Sequence, residues 1–150
     1  MTILLDTNIL TRAAQPHHPM YQEAVDAVAT LRLKGEDLCL APQNLYESWV
    51  VATRPVGENR LGWDVAKARS ELSQLKAMFR MLSDTPNILP EWERLVLHYQ
   101  VKGKNGHDAR LVATMIINGI DHFLTFNVID FQRYQEIVTM SPESILVPPS

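Results

Sequence analysis

The sequence predicts an α/β domain in which helices flank a mostly parallel central sheet. The first observation is a short, wholly apolar run at residues 3–5, which is typical of a strand covered on both faces. The second is that such short runs alternate with longer segments whose apolar residues recur at helical spacing. The third is composition, because 46% of the 150 residues are hydrophobic, as expected for a globular core. We therefore expect one domain over residues 1–150.

The first strand is followed by three predicted helices and a second strand. Residues 20–33 carry apolar side chains at helical spacing and are followed by a glycine stop. Residues 38–41 form the second apolar run, and Pro42 then begins a helix over 42–53, since proline is favoured at the first helical position. Residues 64–82 show the clearest amphipathic pattern. The expected core-facing positions of the second helix are Leu45, Tyr46, Trp49, Val50 and Ala52.

The second half of the chain continues the same alternation. A short strand is predicted at 88–89 and a helix at 90–101. Residues 108–118 are almost wholly apolar and end before a glycine, which predicts a central helix. A strand at 122–126 and a turn or short helix at 130–134 follow. The last predicted elements are edge strands at 137–140 and 145–147, where nearby prolines are tolerated.

Composition excludes several classes of protein. No apolar run approaches the roughly 20 residues of a membrane span, and no segment has the pattern of a signal peptide. The single cysteine, Cys39, excludes an internal disulfide, and its apolar neighbours indicate a buried thiol. The net charge of −3 gives no bulk attraction for nucleic acid, which argues mildly against a non-specific binder. We expect a cytoplasmic protein with no membrane contact.

Three acidic residues lie among apolar neighbours, where an unpaired carboxylate costs free energy. Asp6 ends the first apolar run, Glu47 lies one turn into the helix after the second strand, and Asp108 begins the apolar helix. Ligands of parallel sheets bind beyond the carboxyl ends of the strands, and Asp130 follows a strand end as Asp6 does. Clustered carboxylates stay ionised only where a cation offsets their repulsion, and oxygen ligands suit Mg²⁺ or Mn²⁺. These residues therefore predict a divalent metal site.

Each acid taken alone also has an ordinary structural role. Asp6 suits a helix cap or turn, Glu47 a solvated helix position, Asp108 a helix N-cap and Asp130 a turn. We favour a shared site because all four fall near element boundaries, where a parallel sheet builds its ligand site. Asp108 joins the others only if its helix begins at the same edge of the sheet.

Four segments together resemble the PIN-domain ribonucleases, and most closely the toxin components of VapBC-type toxin–antitoxin pairs. The resemblance extends over nearly the whole chain and implies a Rossmann-like PIN fold. Asp6, Glu47 and Asp108 match the acidic metal ligands of that family. The segments are LLDTNIL at residues 4–10, NLYESW at 44–49, HDARLVA at 107–113 and TFNVIDF at 125–131.

The resemblance also implies a function. It implies a divalent-metal-dependent endoribonuclease that uses Mg²⁺ or Mn²⁺, commonly forms a homodimer and is inhibited by a cognate antitoxin. Some members carry a fourth acid where this chain has Asn127, and others carry it three residues later, where this chain has Asp130. Because Asn127 brings no negative charge, Asp130 is the fourth catalytic candidate.

Polar and basic residues near the acids are candidates for supporting roles. Thr7, Asn8 and Thr125 lie beside the acids and can orient ligands or water, or simply bond the turns. Arginine suits phosphate, so nearby basic residues are candidate RNA contacts, with surface solvation as the alternative. They are Arg54 and Arg60 after the second helix, and Lys102, Lys104 and Arg110 around Asp108.

Two functions of other classes stay open at this level. One is a catalytically silent PIN-like module that binds RNA or protein, which Asn127 and the acidic net charge favour. The other is a phosphoacceptor or phosphatase domain using Asp6. Acid phosphatases with an N-terminal Asp usually need a second Asp two residues on, where this chain has Asn8.

Overall fold

A sheet of five strands organises the chain, of which the computed structural model describes residues 1–56 and 61–147. Every neighbouring pair of strands in it is parallel, as the α/β pattern predicts. Parallel strands need crossover connections, and helices provide them here. In chain order the strands are β1 (Thr2–Leu5), β2 (Asp37–Leu40), β3 (Arg80–Met81), β4 (His122–Leu124) and β5 (Val138–Met140).

The order of the strands across the sheet is β3-β2-β1-β4-β5. The chain therefore builds outward from β1 in one direction, then returns to its other side to add β4 and β5. Such a reversal leaves a crevice at the carboxyl ends of the two strands that flank it, which is where open α/β sheets bind ligands. In this chain the crevice lies at the ends of β1 and β4.

Helices cover both faces of the sheet. Leu4 faces a core formed mainly with α5 and α6, whereas Ile3 and Leu5 face a second core formed with the helices of the other side. All three side chains are completely buried, since successive strand residues point to opposite faces. In the described residues the helices are α1 (Thr7–Ala13), α2 (Tyr21–Leu33), α3 (Pro42–Thr53), α4 (Val65–Met78), α5 (Ile88–His98), α6 (Asn105–Ile117), α7 (Val128–Phe131) and α8 (Pro142–Leu146).

Two predicted strands are helical in the structure. Residues 88–89 begin α5 instead, because proline at the third helical position removes only an N–H that has no partner in the first turn. Residues 145–147 were predicted as an edge strand, but 145 and 146 end α8. The hydroxyl of Ser141 accepts a hydrogen bond from the backbone of Ser144, and Pro142 occupies the first helical position. This N-terminal capping outweighs the β preference of the three apolar residues.

The predicted helix over 64–82 is too long at its carboxyl end. Helix α4 stops at Met78, and Arg80 and Met81 form β3, which pairs with β2. Arg80 also donates to the carboxylate of Asp37 on β2 at 2.8 Å. Sheet pairing therefore overrides a helical spacing that continues in the sequence.

Smaller differences affect the region of the acidic residues. The structure adds a helix, α1, directly after β1, and α6 begins three residues before the predicted start at Asp108. Helix α3 has the predicted bounds, but Tyr46 and Val50 are exposed rather than core-facing. Residues 57–60 and 148–150 lie outside the described part of the chain. No helix of the described residues is long and apolar enough to cross a membrane.

Replacing Leu95 by alanine tests the core between α5 and α6. Leu95 is fully buried, so Leu95→Ala should lower the free energy of unfolding by about 2–5 kcal/mol, because a cavity remains where the side chain was. Leu97→Ala is the matched control on the same helix, since Leu97 is 74% exposed and its loss should cost less than about 0.5 kcal/mol. Urea denaturation measures both, and equal effects would contradict this core.

Candidate active site

Asp6 and Thr125 lie side by side at the crevice between β1 and β4. Each follows the last residue of its strand, and the backbone N–H of Asp6 donates to the carbonyl of Leu124 at 2.8 Å. Both side chains are buried, with Asp6 8% exposed and Thr125 completely enclosed. The topology that the sequence predicts therefore brings the first acid to the expected edge of the sheet.

The carboxylate of Asp6 is held by one hydrogen bond on each oxygen. The backbone N–H of Thr7 donates to Oδ1 and the hydroxyl of Thr125 donates to Oδ2, both at 2.7 Å. Burial, with a smaller contribution from the negative charges of Asp108 and Glu47, raises the pKa of Asp6 to about 7, although the two hydrogen bonds oppose this shift. Asp6 is thus a desolvated acid with two other acids close enough to repel it.

Glu47 projects from α3 toward the same edge. Its Oε1 atom accepts hydrogen bonds from the hydroxyl of Thr7 at 3.2 Å and from the amide of Gln43 at 3.3 Å. Asn44 completes the chain of contacts, since its amide donates to the Thr7 hydroxyl at 3.1 Å and its Oδ1 accepts from the backbone of Ala41 at 2.8 Å. Thr7 therefore connects the first two predicted acids through its backbone and its side chain.

Asp108 lies in the first turn of α6, which begins at the same edge of the sheet as the other acids. Burial, with contributions from the negative charges of Asp130 and Glu47, raises the pKa of Asp108 to about 6, against the opposing effect of His107 and Arg133. Asp130 is itself exposed on the short helix α7. The fourth predicted acid thus approaches Asp108 from the solvent side.

The structure brings all four predicted acids into one electrostatic neighbourhood. Asp6 is affected by Asp108 and Glu47, and Asp108 by Asp130 and Glu47. In residues 1–56 and 61–147, however, no three His, Cys, Asp or Glu side chains already form a group that could hold a metal ion. The acids surround one crevice with hard oxygen donors and do not yet form a closed ligand set.

Gln43 is a site residue that sequence reasoning missed. It is 6% exposed, and its amide nitrogen donates both to Glu47 and to the backbone carbonyl of His107, the latter at 2.8 Å. Its Oε1 accepts from Arg110 Nη1 at 3.3 Å. Gln43 thereby connects α3 to the start of α6. The available signal was a polar pair, Gln43 and Asn44, in the first turn after a buried strand.

Asn8 and Asn127 support the segment that follows β4. The amide of Asn8 donates to Thr125 Oγ1 at 3.2 Å, and its Oδ1 accepts from the backbone of Phe126 at 3.3 Å. The backbone N–H of Asn127 also donates to Thr125 Oγ1, at 2.9 Å. Thr125 therefore organises the turn as well as orienting Asp6. The side chain of Asn127 is exposed, in contrast to the buried Asp6.

The basic candidates differ in where they lie. Arg110 is half-buried and its Nη2 contacts Asp84 Oδ1 at 3.2 Å. Arg54 is exposed at the end of α3, beside a cleft that Glu47 also lines. Lys102 and Lys104 are exposed in the turn before Asp108. The remaining candidate, Arg60, lies outside the described residues.

Several solved structures share this fold. VapBC-1 from nontypeable Haemophilus influenzae matches with a TM-score of 0.69 and 16% identity, covering 95% of this chain and 99% of that one. A toxin–antitoxin complex from Klebsiella pneumoniae matches with a TM-score of 0.62 and 23% identity, covering 91% and 96%. VapC20 from Mycobacterium tuberculosis, a toxin that cleaves the sarcin–ricin loop, matches with a TM-score of 0.57 and 17% identity, covering 81% and 86%. At these identities the likeness establishes the fold.

The sequence itself matches a known family. No curated protein is similar to this chain at a significant level. The model of the PIN domain, however, matches residues 3–137, which includes all four acidic candidates and extends from β1 through β4 to the residue before β5. The resemblance expected from the four sequence segments is confirmed, and the chain belongs to the PIN domain family.

Proposed function

We propose that this chain is a divalent-metal-dependent endoribonuclease that hydrolyses RNA phosphodiester bonds. The observation that carries the proposal is the buried carboxylate of Asp6, whose pKa Asp108 and Glu47 raise further. Such a group of acids is costly in a folded protein unless a cation joins it. Nucleases of the PIN family generally use a divalent metal, and the structurally similar VapC20 is a toxin that cleaves RNA.

The donor set fits a hard divalent cation. Asp6, Glu47 and Asp108 would hold Mg²⁺ or Mn²⁺, because carboxylate oxygens are the ligands these ions prefer. Magnesium retains several waters and needs only a few carboxylates, so the open arrangement of the acids is compatible with it. When bound, the ion would lower the pKa of water and would stabilise the negative charge that develops on the phosphodiester.

The protein groups around the acids would keep them oriented during the reaction. Thr125 and the backbone of Thr7 fix both oxygens of Asp6, and the Thr7 hydroxyl fixes Glu47. Asp130 would complete the catalytic set from the exposed side, since it is close enough to raise the pKa of Asp108. It would supply there the negative charge that the amide of Asn127 lacks.

The biological setting that we propose is a toxin–antitoxin pair. The supporting observation is the fold shared over 91% of this chain with a toxin–antitoxin complex. The partners would be an RNA substrate, a cognate antitoxin that inhibits cleavage, and a second copy of the chain in a homodimer. We place this activity in the cytoplasm and assign the whole of residues 1–150 to one PIN domain.

One rival function has an observation in its favour. A catalytically silent PIN-like module would explain Asn127 and the absence of a preformed three-acid group among the described residues. It predicts RNA or protein binding without cleavage under any divalent ion. Use of Asp6 as a phosphoacceptor has no such support, because its carboxylate is buried and both oxygens accept hydrogen bonds.

Cleavage of labelled RNA in Mg²⁺ or Mn²⁺ tests the nuclease proposal. Asp6→Asn and Asp108→Asn should each lower the rate at least about 100-fold, since losing a ligand costs more than the roughly 10–100-fold of losing an outer partner. Asp121→Asn is the matched control because Asp121 is exposed and lies before β4, at the opposite end of that strand from the site. Activity that persists in EDTA or in Asp6→Asn would exclude the metal mechanism.

The pH dependence of stability tests the electrostatics of the site. The pKa of Asp6 is raised to about 7 in the folded protein from 3.8, so the folded state holds a proton that the unfolded state has lost. In EDTA, the free energy of unfolding should therefore fall as pH rises from about 5 to about 7. Added Mn²⁺ should reduce this loss, because the cation favours the ionised carboxylates.

Asp6→Asn serves as the reference for that measurement, because it removes the titrating group and retains the shape of the side chain. Its unfolding free energy in EDTA should depend less steeply on pH over the same interval than that of the unsubstituted protein. The difference between the two slopes removes the contributions of histidines and other acids. Equal slopes would contradict a strongly desolvated Asp6.

A further inference from the structure

A cleft of about 580 Å³ opens directly beside Glu47, within the size range of small-molecule sites. One wall is formed by the outer side of α3, and the other by the first turns of α6. Because Glu47 lines both this cleft and the acidic crevice, whatever occupies the cleft lies next to the acids. Among the lining residues are Tyr46, Val50 and Arg54 on α3, and His107 and Arg110 on α6.

The α3 wall presents an aromatic ring to solvent. Tyr46 is 63% exposed and Val50, one turn later, is 41% exposed, although both were expected to face the core. In the part of the chain that the structure describes, Tyr46 contacts no other ring and its hydroxyl has no hydrogen-bond partner. Folding therefore does not account for an aromatic residue at this position, and the ring is available to a ligand.

Two arginines line the same cleft as the ring. Arg54 is exposed, and no carboxylate pairs with it in residues 1–56 and 61–147. Arg110 is held in place by Asp84 at 3.2 Å and by Gln43 at 3.3 Å. A guanidinium carries five N–H groups, so the two contacts leave three donors for a ligand. The cleft thus combines an apolar platform with two cations in a protein of net charge −3.

We propose that this cleft binds one unpaired nucleotide of a single-stranded RNA, with its base stacked on Tyr46 and its flanking phosphates near Arg54 and Arg110. This inference rests on the proposed function and names the form of RNA that the site takes. A base can stack on a protein ring only when it has left its own helix, so recognition of this kind selects single strands. Binding there would bring the neighbouring phosphodiester to Glu47.

Charge argues for a nucleotide over a second copy of the chain. The exposed Tyr46 and Val50 alone would suit a contact between protomers. This surface also carries two arginines, however, and a second copy of the chain would need to place carboxylates against them. Arginine is the side chain best shaped for phosphate, and stacking with arginine contacts is the usual composition of single-strand sites. The oligomeric alternative becomes an outcome of the test.

Binding of a fluorescein-labelled, mixed-sequence single-stranded RNA, followed by anisotropy, tests the role of Tyr46. The full chain carrying Asp6→Asn is the parent protein, so that cleavage does not interfere. Adding Tyr46→Leu should weaken binding about tenfold, whereas Tyr46→Phe should stay within about twofold because it keeps the ring. The same sequence annealed to its complement should bind equally to all three proteins.

Salt dependence tests the arginine. Arg54→Gln should reduce the slope of log affinity against log salt by about 0.7, the contribution of one phosphate of a single strand. Arg69→Gln, at an exposed position on α4, is the matched control and should leave the slope unchanged. An unchanged slope for Arg54→Gln would remove that residue from the phosphate contact.

Three results of the binding and sedimentation measurements would overturn the inference. They are no binding of single-stranded RNA by the parent protein, equal binding by Tyr46→Leu and its parent, and a loss of dimer mass in Tyr46→Leu by sedimentation equilibrium without loss of RNA affinity. The last would assign the cleft to a contact between copies. If the wild-type protein cleaves RNA and Tyr46→Leu does so with an unchanged KM, this inference is wrong and the nuclease proposal stands. RNA binding that depends on Tyr46, without RNA cleavage by the wild-type protein, would support this inference and contradict the nuclease proposal.

Discussion

The burial of one carboxylate, that of Asp6, is the constraint on which the rest of the site depends. Strand β1 lies in the middle of the sheet with residues 3–5 fully enclosed, and Asp6, the residue that follows it, is itself buried. A pKa of about 7 expresses the cost of charging a group there. The fold therefore fixes the position of the Asp6 carboxyl group, and the surrounding residues determine whether it is protonated or ionised.

Hydrogen bonds around Asp6 connect the separate elements of the fold. Thr125 ties the acid to the turn after β4, and Thr7 ties it to Glu47 on α3. Gln43 then extends the network from Glu47 to the first turn of α6, which carries Asp108. Asp6 and Glu47 are thus each held by a hydroxyl from another segment of the chain, and Gln43 contacts the backbone one residue before Asp108. Such an arrangement holds negative groups near each other without neutralising them, which leaves their charge for a cation.

Sequence was most informative where a residue type conflicted with its neighbours. Acids among apolar residues predicted Asp6, Glu47 and Asp108 as one set, because burial of unpaired charge is costly wherever it occurs, and their role as metal ligands stays a prediction. Sequence failed where partners came from distant segments. Pairing with β2 converted the end of a predicted helix into β3, and Gln43 resembled an ordinary polar residue at a helix start until α6 packed beside it. Local patterns contain neither contact.

The exposed face of α3 shows how one prediction failed for a reason that bears on function. Helical spacing predicted that Tyr46 shares an apolar face with Leu45 and Ala52, but the fold buries only Leu45 and Ala52. A site made of acids repels the phosphates of its own substrate, so cationic side chains beside the acids would add to the attraction that a bound metal ion supplies. Arg54 and Arg110 line the same cleft as Tyr46, and Glu47 of the acidic crevice lines it too. On the proposed function, the ring of Tyr46, which the core does not bury, would hold RNA beside acids that repel its phosphates.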